Sequence, residues 1–187
     1  MECIFSETYT KKDFTKTWVP WEYEDCEFVG CDFSDVDLSY SRFLSCRMIG
    51  CNLSNVKTLE TGMQEVSFSD CKILGVHFQK CNNFLFEVTF EKCILDFSVF
   101  SGLSLTKSIF REWKLHGVDF SWADLSWVSL WLCDLKGAIF SRTILTGTDF
   151  RSAVNYQIDA EENTISGAKF SLSGTPGLLL KYDIIIE

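Results

Sequence analysis

The sequence predicts an all-β repeat protein in which short strands and corners alternate along a coiled ribbon. The main observation is a period of five: every fifth residue from Leu85 to Phe150 is Leu or Phe. The residue two positions before each of these centres is mostly small, and the residue just before it is often Asp or Asn. Leu and Phe together make up only about a fifth of the chain, so this run indicates repeated structural units.

The period of five excludes a simple α-helix and a straight strand. An α-helix turns once in about 3.6 residues, so steps of five would scatter the large side chains around its axis. In a straight strand, successive centres would point to opposite faces. Two inward positions in every five residues instead predict a very short strand followed by a bend. Asp and Asn favour local backbone hydrogen bonds at bends.

The repeated units resemble those of the pentapeptide-repeat proteins, whose motif is a small residue, Asp or Asn, Leu or Phe, and two variable residues. The segments that carry this motif include "CDFSD", "VDLSY", "CNLSN", "VDFSW", "ADLSW" and "CDLKG". The resemblance covers residues 26–150, with weaker matches at 21–23 and 168–170. It implies a right-handed quadrilateral parallel β-helix with four units per turn, in which each fifth residue points inward from a new face. From Leu85 onward the centres mostly alternate between Leu and Phe, which agrees independently with a square coil.

We predict a single domain over residues 1–187. It begins with an N-terminal cap (1–25), continues with the main repeats (26–150), and ends with an irregular segment, a last coil and a C-terminal cap (151–187). Caps are expected because a stack of parallel coils exposes an apolar cross-section at each end. A two-residue slip near 80–84 predicts a bulge or a small outward loop. This slip is either a tolerated insertion or a functional loop.

The predicted C-terminal cap is an apolar segment that follows the chain-breaking residues Gly174, Pro176 and Gly177. Its residues are Leu178, Leu179, Leu180, Tyr182, Ile184 and Ile186. One interpretation is a cap alone. The other adds a homodimer, because the resemblance implies that this segment can join two rods end to end.

Composition excludes some classes of function. The formal net charge of −9 argues against binding to a nucleic-acid backbone, which would require a basic face. No apolar run approaches the roughly 18 residues that span a bilayer, and no targeting segment is recognisable. We therefore expect a cytoplasmic protein without membrane contact.

The cysteines are expected to be structural. Eight of the nine occupy the small inward position, where a free thiol behaves as a compact apolar group. Cys31, Cys51 and Cys71 would stack one turn apart, but parallel side chains give a disulfide poor geometry. No metal-ligand spacing, phosphate-binding glycine loop or nucleophile motif is present. We predict no metal, no cofactor, no catalytic residue and no enzyme activity.

An acidic run marks the first repeats. Its members are Glu22, Glu24, Asp25, Glu27, Asp32, Asp35 and Asp37, with no basic residue among positions 22–37. Some pentapeptide-repeat proteins, those of the Qnr quinolone-resistance type, resemble duplex DNA and bind DNA gyrase or its relatives. In this chain Arg47 follows Glu27 after one turn, so the acidic residues form a ring and not a stripe. The run is either part of a DNA mimic or a solvated acidic end.

Three tryptophans, Trp122, Trp127 and Trp131, occupy outward positions within one turn. They predict either a protein contact or dimer surface, or partial burial under the C-terminal segment. The sequence thus favours a non-catalytic protein-interaction rod whose partner is unknown, with DNA gyrase or another type II topoisomerase as one candidate. The alternative is a structural scaffold or dimerisation module unrelated to topoisomerases.

Overall fold

The computed structural model describes residues 3–84, 86–111 and 114–185. Its strands are short, and each pairs in parallel with a strand about one turn earlier or later in the chain. In chain order the strands are β1 (Cys3–Phe5), β2 (Thr8–Thr10), β3 (Glu22–Glu24), β4 (Glu27–Val29), β5 (Arg42–Leu44), β6 (Arg47–Ile49), β7 (Gly62–Gln64), β8 (Val66–Ser69), β9 (Val88–Glu91), β10 (Ile109–Arg111) and β11 (Leu130–Trp131). The fold is therefore a parallel β-solenoid, which confirms the predicted class.

Four faces follow one another along each coil. They are named here by the inward residue of one coil: face 1 (Tyr23), face 2 (Phe28), face 3 (Phe33) and face 4 (Leu38). Face 1 carries the four-stranded sheet β1-β3-β5-β7, and face 2 carries the seven-stranded sheet β11-β10-β9-β8-β6-β4-β2. Faces 3 and 4 are held by isolated parallel bridges such as Asp32↔Asn52 and Asp37↔Lys57.

The corners between faces have left-handed backbone conformations. In the coil that begins at Tyr23, the corner residues are Asp25, Gly30, Asp35 and Tyr40, with φ between 52° and 64°. Glycine adopts this region freely and Asp or Asn adopts it at modest cost. The corners therefore explain why the repeat favours Gly, Asn and Asp at the position two residues after each centre.

The inward centres form one continuous core. Leu105, Leu125 and Leu145 are fully buried on face 1, and the residues just before them are bridged in parallel from coil to coil. On face 4, the ring of Phe120 stacks on Phe100 and on Phe140, with centroid distances of 5.6 and 5.5 Å. The predicted stacking of every fifth residue is confirmed. Leu85, which begins the uninterrupted run, lies outside the described residues.

The small inward positions have a second role as hydrogen-bond donors. The Cys51 thiol donates to the carbonyl of Phe28 (3.2 Å), and the Thr143 hydroxyl donates to that of Phe120 (2.9 Å). In both cases the acceptor is the inward centre of the preceding coil. Burial raises the pKa of the Cys46 thiol to about 12, so it remains a neutral donor. Where Cys or Thr fills the slot, its small side chain thus also satisfies a buried carbonyl.

The solenoid extends toward the N-terminus beyond the first repeat that the sequence analysis identified. Within the segment 1–25, which we assigned to a cap, β1 pairs with β3 and β2 pairs with β4. The partners Tyr9 and Phe28 are nineteen residues apart, whereas Phe28 and Met48 are twenty apart. Ile4, Tyr9 and Phe14 thus repeat the five-residue spacing as one further coil.

The slip occupies face 1. After a 3₁₀ helix at Phe78–Lys80, the described residues 82–84, 86 and 87 cross this face, and the regular spacing resumes where Val66 pairs with Val88. Phe84, in this crossing segment, is 80% exposed. Because Asn82 and Glu87 donate their N–H groups to the preceding coil, the exposed residues Asn83 and Phe84 bulge outward between two fixed points.

The C-terminal end is covered by short 3₁₀ helices at Leu172–Leu178 and Leu180–Tyr182. A Cβ at Gly177 would collide with the carbonyl oxygen of Tyr156, so only glycine permits this close approach. Among the described residues, no helix has the length and apolar character needed to cross a membrane.

Candidate protein-interaction surface

Three of the seven carboxylates in the acidic ring form ion pairs with the next coil. Arg47 Nη2 lies 2.9 Å from Glu27 Oε2, and Arg42 Nη1 lies 3.4 Å from Glu22 Oε2. A longer pair joins Lys57 and Asp37 at 3.9 Å. Each pair bridges neighbouring coils, because a solenoid places residues twenty apart side by side.

Two further carboxylates of the acidic ring accept hydrogen bonds from amide side chains of the next coil. Asn52 Nδ2 donates to Asp32 Oδ1, and Asn55 Nδ2 donates to Asp35 Oδ1, both at 3.2 Å. Within the described residues, Glu24 and Asp25 form no ion pair within 4.0 Å. The ring therefore presents fewer free carboxylates than its sequence suggests.

The three outward tryptophans are exposed. Trp122 and Trp127 occupy the two corners that flank face 1 and are 59% and 75% exposed, and Trp131 on face 2 is 47% exposed. Leu132, at the next corner, is 50% exposed. We call these four residues the tryptophan surface.

The rings lie along the outside of the next coil. A Cβ at Gly147 would collide with Cε3 of Trp127, so the indole ring occupies the space above this glycine. The Arg142 guanidinium lies 4.6 Å from the ring centroid of Trp122, which is within cation–π range. Both indoles are thus supported from one side and remain available on the other.

A groove runs beside this surface at the corner between faces 1 and 2. It measures about 560 Å³, and its lining residues are Thr106, Lys107, Ser108, Ile109, Trp127, Val128, Ser129 and Trp131. Ile109 is 43% exposed and extends the apolar area to the preceding coil. A groove that has both polar and apolar lining residues and is bordered by two indoles is suited to receive side chains of another protein.

The predicted C-terminal residues divide into two groups. Leu178 packs against the core, whereas Leu180, Tyr182 and Ile184 are more than half exposed. Leu179 is partly buried, and Ile186 lies outside the described residues.

Polar contacts hold this segment against the irregular loop that precedes the last coil. Lys181 Nζ lies 2.6 Å from Asp159 Oδ1 and 2.7 Å from Glu161 Oε2, and the Tyr182 hydroxyl donates to Glu161. The hydrogen bonds from Lys181 lower the pKa of both carboxyl groups. The segment is thus anchored although much of its apolar surface faces outward.

Over residues 3–84, 86–111 and 114–185, no group of three or more His, Cys, Asp or Glu residues is arranged to hold a metal ion. The nine cysteines are free thiols, and all except Cys3 are buried.

Among the described residues, sequence reasoning missed four other exposed rings: Phe5 in β1, Tyr40 and Phe97 at corners and Phe84 in the slip. Phe97 lies over Gly117 much as Trp127 lies over Gly147, with 2.8 Å from its ring to an added Cβ. For Phe97, the available signal was a large ring at a variable position followed by glycine twenty residues later.

Two family models match the chain. The model described as a pentapeptide repeat region matches residues 21–87, and the model of eight pentapeptide repeats matches residues 85–121 and 119–154. A search of curated proteins found no match.

The fold is similar to that of solved structures. A trypsin-treated form of QnrB1, described as a plasmid-mediated fluoroquinolone resistance protein, is 17% identical with a TM-score of 0.63, and the match covers 99% of this chain and 97% of that one. HetL from the cyanobacterium Nostoc sp. strain PCC 7120, described as involved in heterocyst differentiation regulation, is 15% identical with a TM-score of 0.56, over 92% and 85% of the two chains.

Proposed function

This chain belongs to the pentapeptide-repeat family, and from that premise we propose that it is a non-catalytic rod that binds another protein through the tryptophan surface. The observation that carries the proposal is the exposure of Trp122, Trp127 and Trp131 within a single turn. Tryptophan is enriched among the residues that contribute most to protein–protein binding. An isolated exposed indole needs no explanation, but a contiguous apolar patch does.

The surroundings of the patch favour a protein partner. Residues 114–155 carry four acidic residues (Asp119, Asp124, Asp134 and Asp149) and four basic residues (Lys114, Lys136, Arg142 and Arg151), so this part of the rod is neutral. A phosphate backbone would require a basic surface. Apolar rings with a mixed polar surround match the composition of protein interfaces. The free buried thiols favour a reducing compartment, and we propose a cytoplasmic location.

The test is site-specific crosslinking in the host followed by mutation. A photoreactive residue at position 129, in the groove, should capture the partner, and Trp127→Ser should lower the yield at least tenfold. Phe84→Ser is the matched control, because it removes an exposed ring elsewhere and should leave capture unchanged. Circular dichroism should give the same spectrum for all variants. Undiminished capture by Trp127→Ser would refute the tryptophan surface as the contact.

A second candidate is binding to DNA gyrase or another type II topoisomerase as a DNA mimic. Two observations favour it: the fold resembles that of QnrB1 over nearly its whole length, and the net charge is −9. The ion pairs of Glu22, Glu27 and Asp37 weaken it, because a mimic needs carboxylates that are free to meet basic residues.

Gyrase supercoiling assays with and without a quinolone test this candidate. A mimic should alter supercoiling or relieve drug inhibition, and the combined change of Glu27→Gln, Asp32→Asn and Asp37→Asn should remove the effect. The triple variant keeps the core unchanged. Identical supercoiling over a wide range of protein concentrations would eliminate the candidate.

A third role, a scaffold that dimerises through the C-terminal segment, is supported by the exposed side chains of Leu180, Tyr182 and Ile184. Ile184→Asp should then convert a dimer to a monomer in sedimentation velocity experiments. A dimer that survives this change would exclude the segment as its interface.

A further inference from the structure

One carboxylate lies between two indoles of the tryptophan surface. Asp124 is on face 1, where parallel bridges join it to Ser104 of the preceding coil and to Ile144 of the next. Trp122 is at the corner before Asp124 and Trp127 is at the corner after it, so the carboxylate and both indoles belong to one side of one coil. Asp124 is partly exposed, and both indoles are more than half exposed. A partner that covers the two indoles therefore also covers this carboxylate.

The Asp124 carboxylate has no cationic partner among the described residues. It accepts the Ser126 N–H at 2.9 Å, and it forms no ion pair within 4.0 Å. By contrast, Asp149 in the next coil is held by Arg151 at 2.7 Å. Asp119 also has no ion pair in the described part of the chain, but it lies on face 4, away from the groove. A partner that covered Asp124 without supplying a cation would bury an unpaired charge, which is costly.

The cations at the neighbouring corners are directed elsewhere. Arg142, one coil after Trp122, places its guanidinium 4.6 Å from the centroid of that indole. Lys107, one coil before Trp127, places its Nζ 3.3 Å from Glu87 Oε2. Within the described ranges, no Lys or Arg side chain makes such a contact with the ring of Trp127. The central carboxylate and the outer face of Trp127 are thus both open to a cation from another protein.

Arginine is the side chain that satisfies both groups at once. Its guanidinium is planar, stacks on aromatic faces and donates two parallel hydrogen bonds to a carboxylate. We propose that the partner inserts an arginine between the two indoles, with its guanidinium bonded to Asp124 and stacked on Trp127. The contact of Arg142 with Trp122 is an example of the same stacking within this chain. This inference rests on the proposed function, because it assigns the chemistry of the partner at the tryptophan surface.

The charge of the whole chain agrees with a basic partner. The formal net charge is −9, so the rod attracts cationic surfaces before contact. Face 1 also presents the hydroxyl groups of Ser104 and Ser126, which can accept the remaining N–H groups of a guanidinium. Lysine fits less well, because its ammonium is a strongly hydrated point charge without a planar face to stack on an indole.

NMR of the full chain tests the site without the partner. The probe is N-acetyl-arginine N-methylamide, and the indole N–H signal of Trp127 is assigned by its loss in Trp127→Ser. We expect a weak, saturable shift of this signal, because both contacts are exposed to solvent. The citrulline analogue lacks the charge and the lysine analogue lacks the planar group, so each should bind more weakly by about threefold or more.

A matched pair of variants identifies the carboxylate. Asp124→Asn keeps the N–H bond from Ser126 and should reduce arginine binding to the level of citrulline. Asp149→Asn removes the same charge one coil away and keeps the N–H bond from Arg151, and it should leave arginine binding unchanged. Equal binding of the three probes, or arginine binding that Asp124→Asn does not weaken, would overturn the proposal.

Crosslinking from position 129 separates this inference from the proposed function. Asp124→Asn should lower capture of the partner by about fivefold or more, whereas Asp149→Asn should not lower it. Capture that falls with Trp127→Ser but not with Asp124→Asn would overturn the arginine assignment alone. Capture that neither change lowers would refute the proposed function together with this inference. Mass spectrometry of the crosslinked product identifies the occupant, and a captured surface without arginine would also overturn the assignment.

Discussion

The coils near the N-terminus and those near the C-terminus share one interior but have different exteriors. Between residues 22 and 64, outward side chains of neighbouring coils form ion pairs and amide hydrogen bonds, as in Glu27–Arg47 and Asn52–Asp32. Between residues 114 and 154, the outward positions include exposed Trp122 and Trp127. The backbone repeat is the same in both regions, so the exterior can change without altering the fold.

The shared interior accounts for the stability of the rod, whereas the differing exteriors are where a binding function would lie. The inward centres and the residues of the small slots are buried in every coil and stabilise the fold. Because they are similar along the whole rod, they do not indicate where a partner binds. The exposed rings near residue 127 contribute less to the stability of the fold than buried side chains do. They also distinguish one region of the rod from another. The following predictions test whether the two regions are as equivalent inside, and as different outside, as the structure indicates.

The largest effect is expected from emptying the core. Leu53→Ala in the N-terminal coils and Leu125→Ala in the C-terminal coils should each lower the free energy of unfolding by about 2–5 kcal/mol. Both side chains are at least 98% buried. Urea denaturation measures the loss, with Leu132→Ala as an exposed control that should change little. If one core variant lost less than about 1 kcal/mol, the two interiors would not be equivalent.

The next effect compares two corner glycines. Gly50→Ala meets no atom within 4 Å, so its cost is the left-handed backbone alone, about 1–2 kcal/mol. Gly147→Ala has the same backbone cost and also collides with Trp127. We therefore expect a larger loss of stability for Gly147→Ala, together with a change in tryptophan fluorescence that Gly50→Ala does not produce. Equal losses and unchanged fluorescence would mean that Trp127 does not rest on this glycine.

An intermediate effect is expected at Asp134, in the C-terminal coils. Burial alone would raise the pKa of Asp134, but hydrogen bonds from Asn155 (2.7 Å) and His116 (3.0 Å) outweigh it and lower the pKa. A lowered carboxyl pKa stabilises the fold above its unfolded value of about 3.9, and this contribution is lost as the pH falls through the folded value.

Asp134→Asn should therefore reduce the urea midpoint at pH 7, and the difference from the parent should shrink below about pH 4. Asp124→Asn is the matched control, because Asn can accept the same N–H bond from Ser126. A difference independent of pH would show that the charge of Asp134 is not the cause.

The smallest effect is expected from the ion pairs of the N-terminal coils. A double-mutant cycle with Glu27→Gln and Arg47→Gln should give a coupling of about 0.2–1 kcal/mol, because the pair lies at the surface. High salt should reduce this coupling. A coupling that survives in 1 M salt, or exceeds about 2 kcal/mol, would indicate that these pairs hold the coils together and do not merely neutralise the exterior.

The sequence predicted the architecture because the repeat has a simple physical cause. Buried positions recur every five residues, and Leu105, Leu125 and Leu145 are stacked as the period requires. Where the period weakens, sequence reasoning lost detail: Ile4, Tyr9 and Phe14 keep the spacing, but the nineteen-residue coil obscures their register with Phe28. The crossing of face 1 by residues 82–87 depends on which backbone groups remain paired, and composition does not reveal this.

The candidate surface was predictable only in outline. The outward assignment of Trp127 follows from the period, but its support by Gly147 depends on the neighbouring coil. The pairing of Glu27 with Arg47 follows once a turn of twenty residues is known. That Asp124 forms no ion pair with another described residue could not be predicted, because the directions of the Lys107 and Arg142 side chains depend on their own neighbours.

The twenty-residue coil also limits how such a rod can change during evolution. An in-frame duplication or deletion of one whole coil leaves every new neighbour correctly paired, whereas a fractional change must be extruded as a loop, as at residues 82–87. The distance between the acidic ring and the tryptophan surface can therefore lengthen or shorten only in increments of about 4.8 Å. Two binding regions on this scaffold are therefore separated by a whole number of coils. A partner that contacts both regions must match that number.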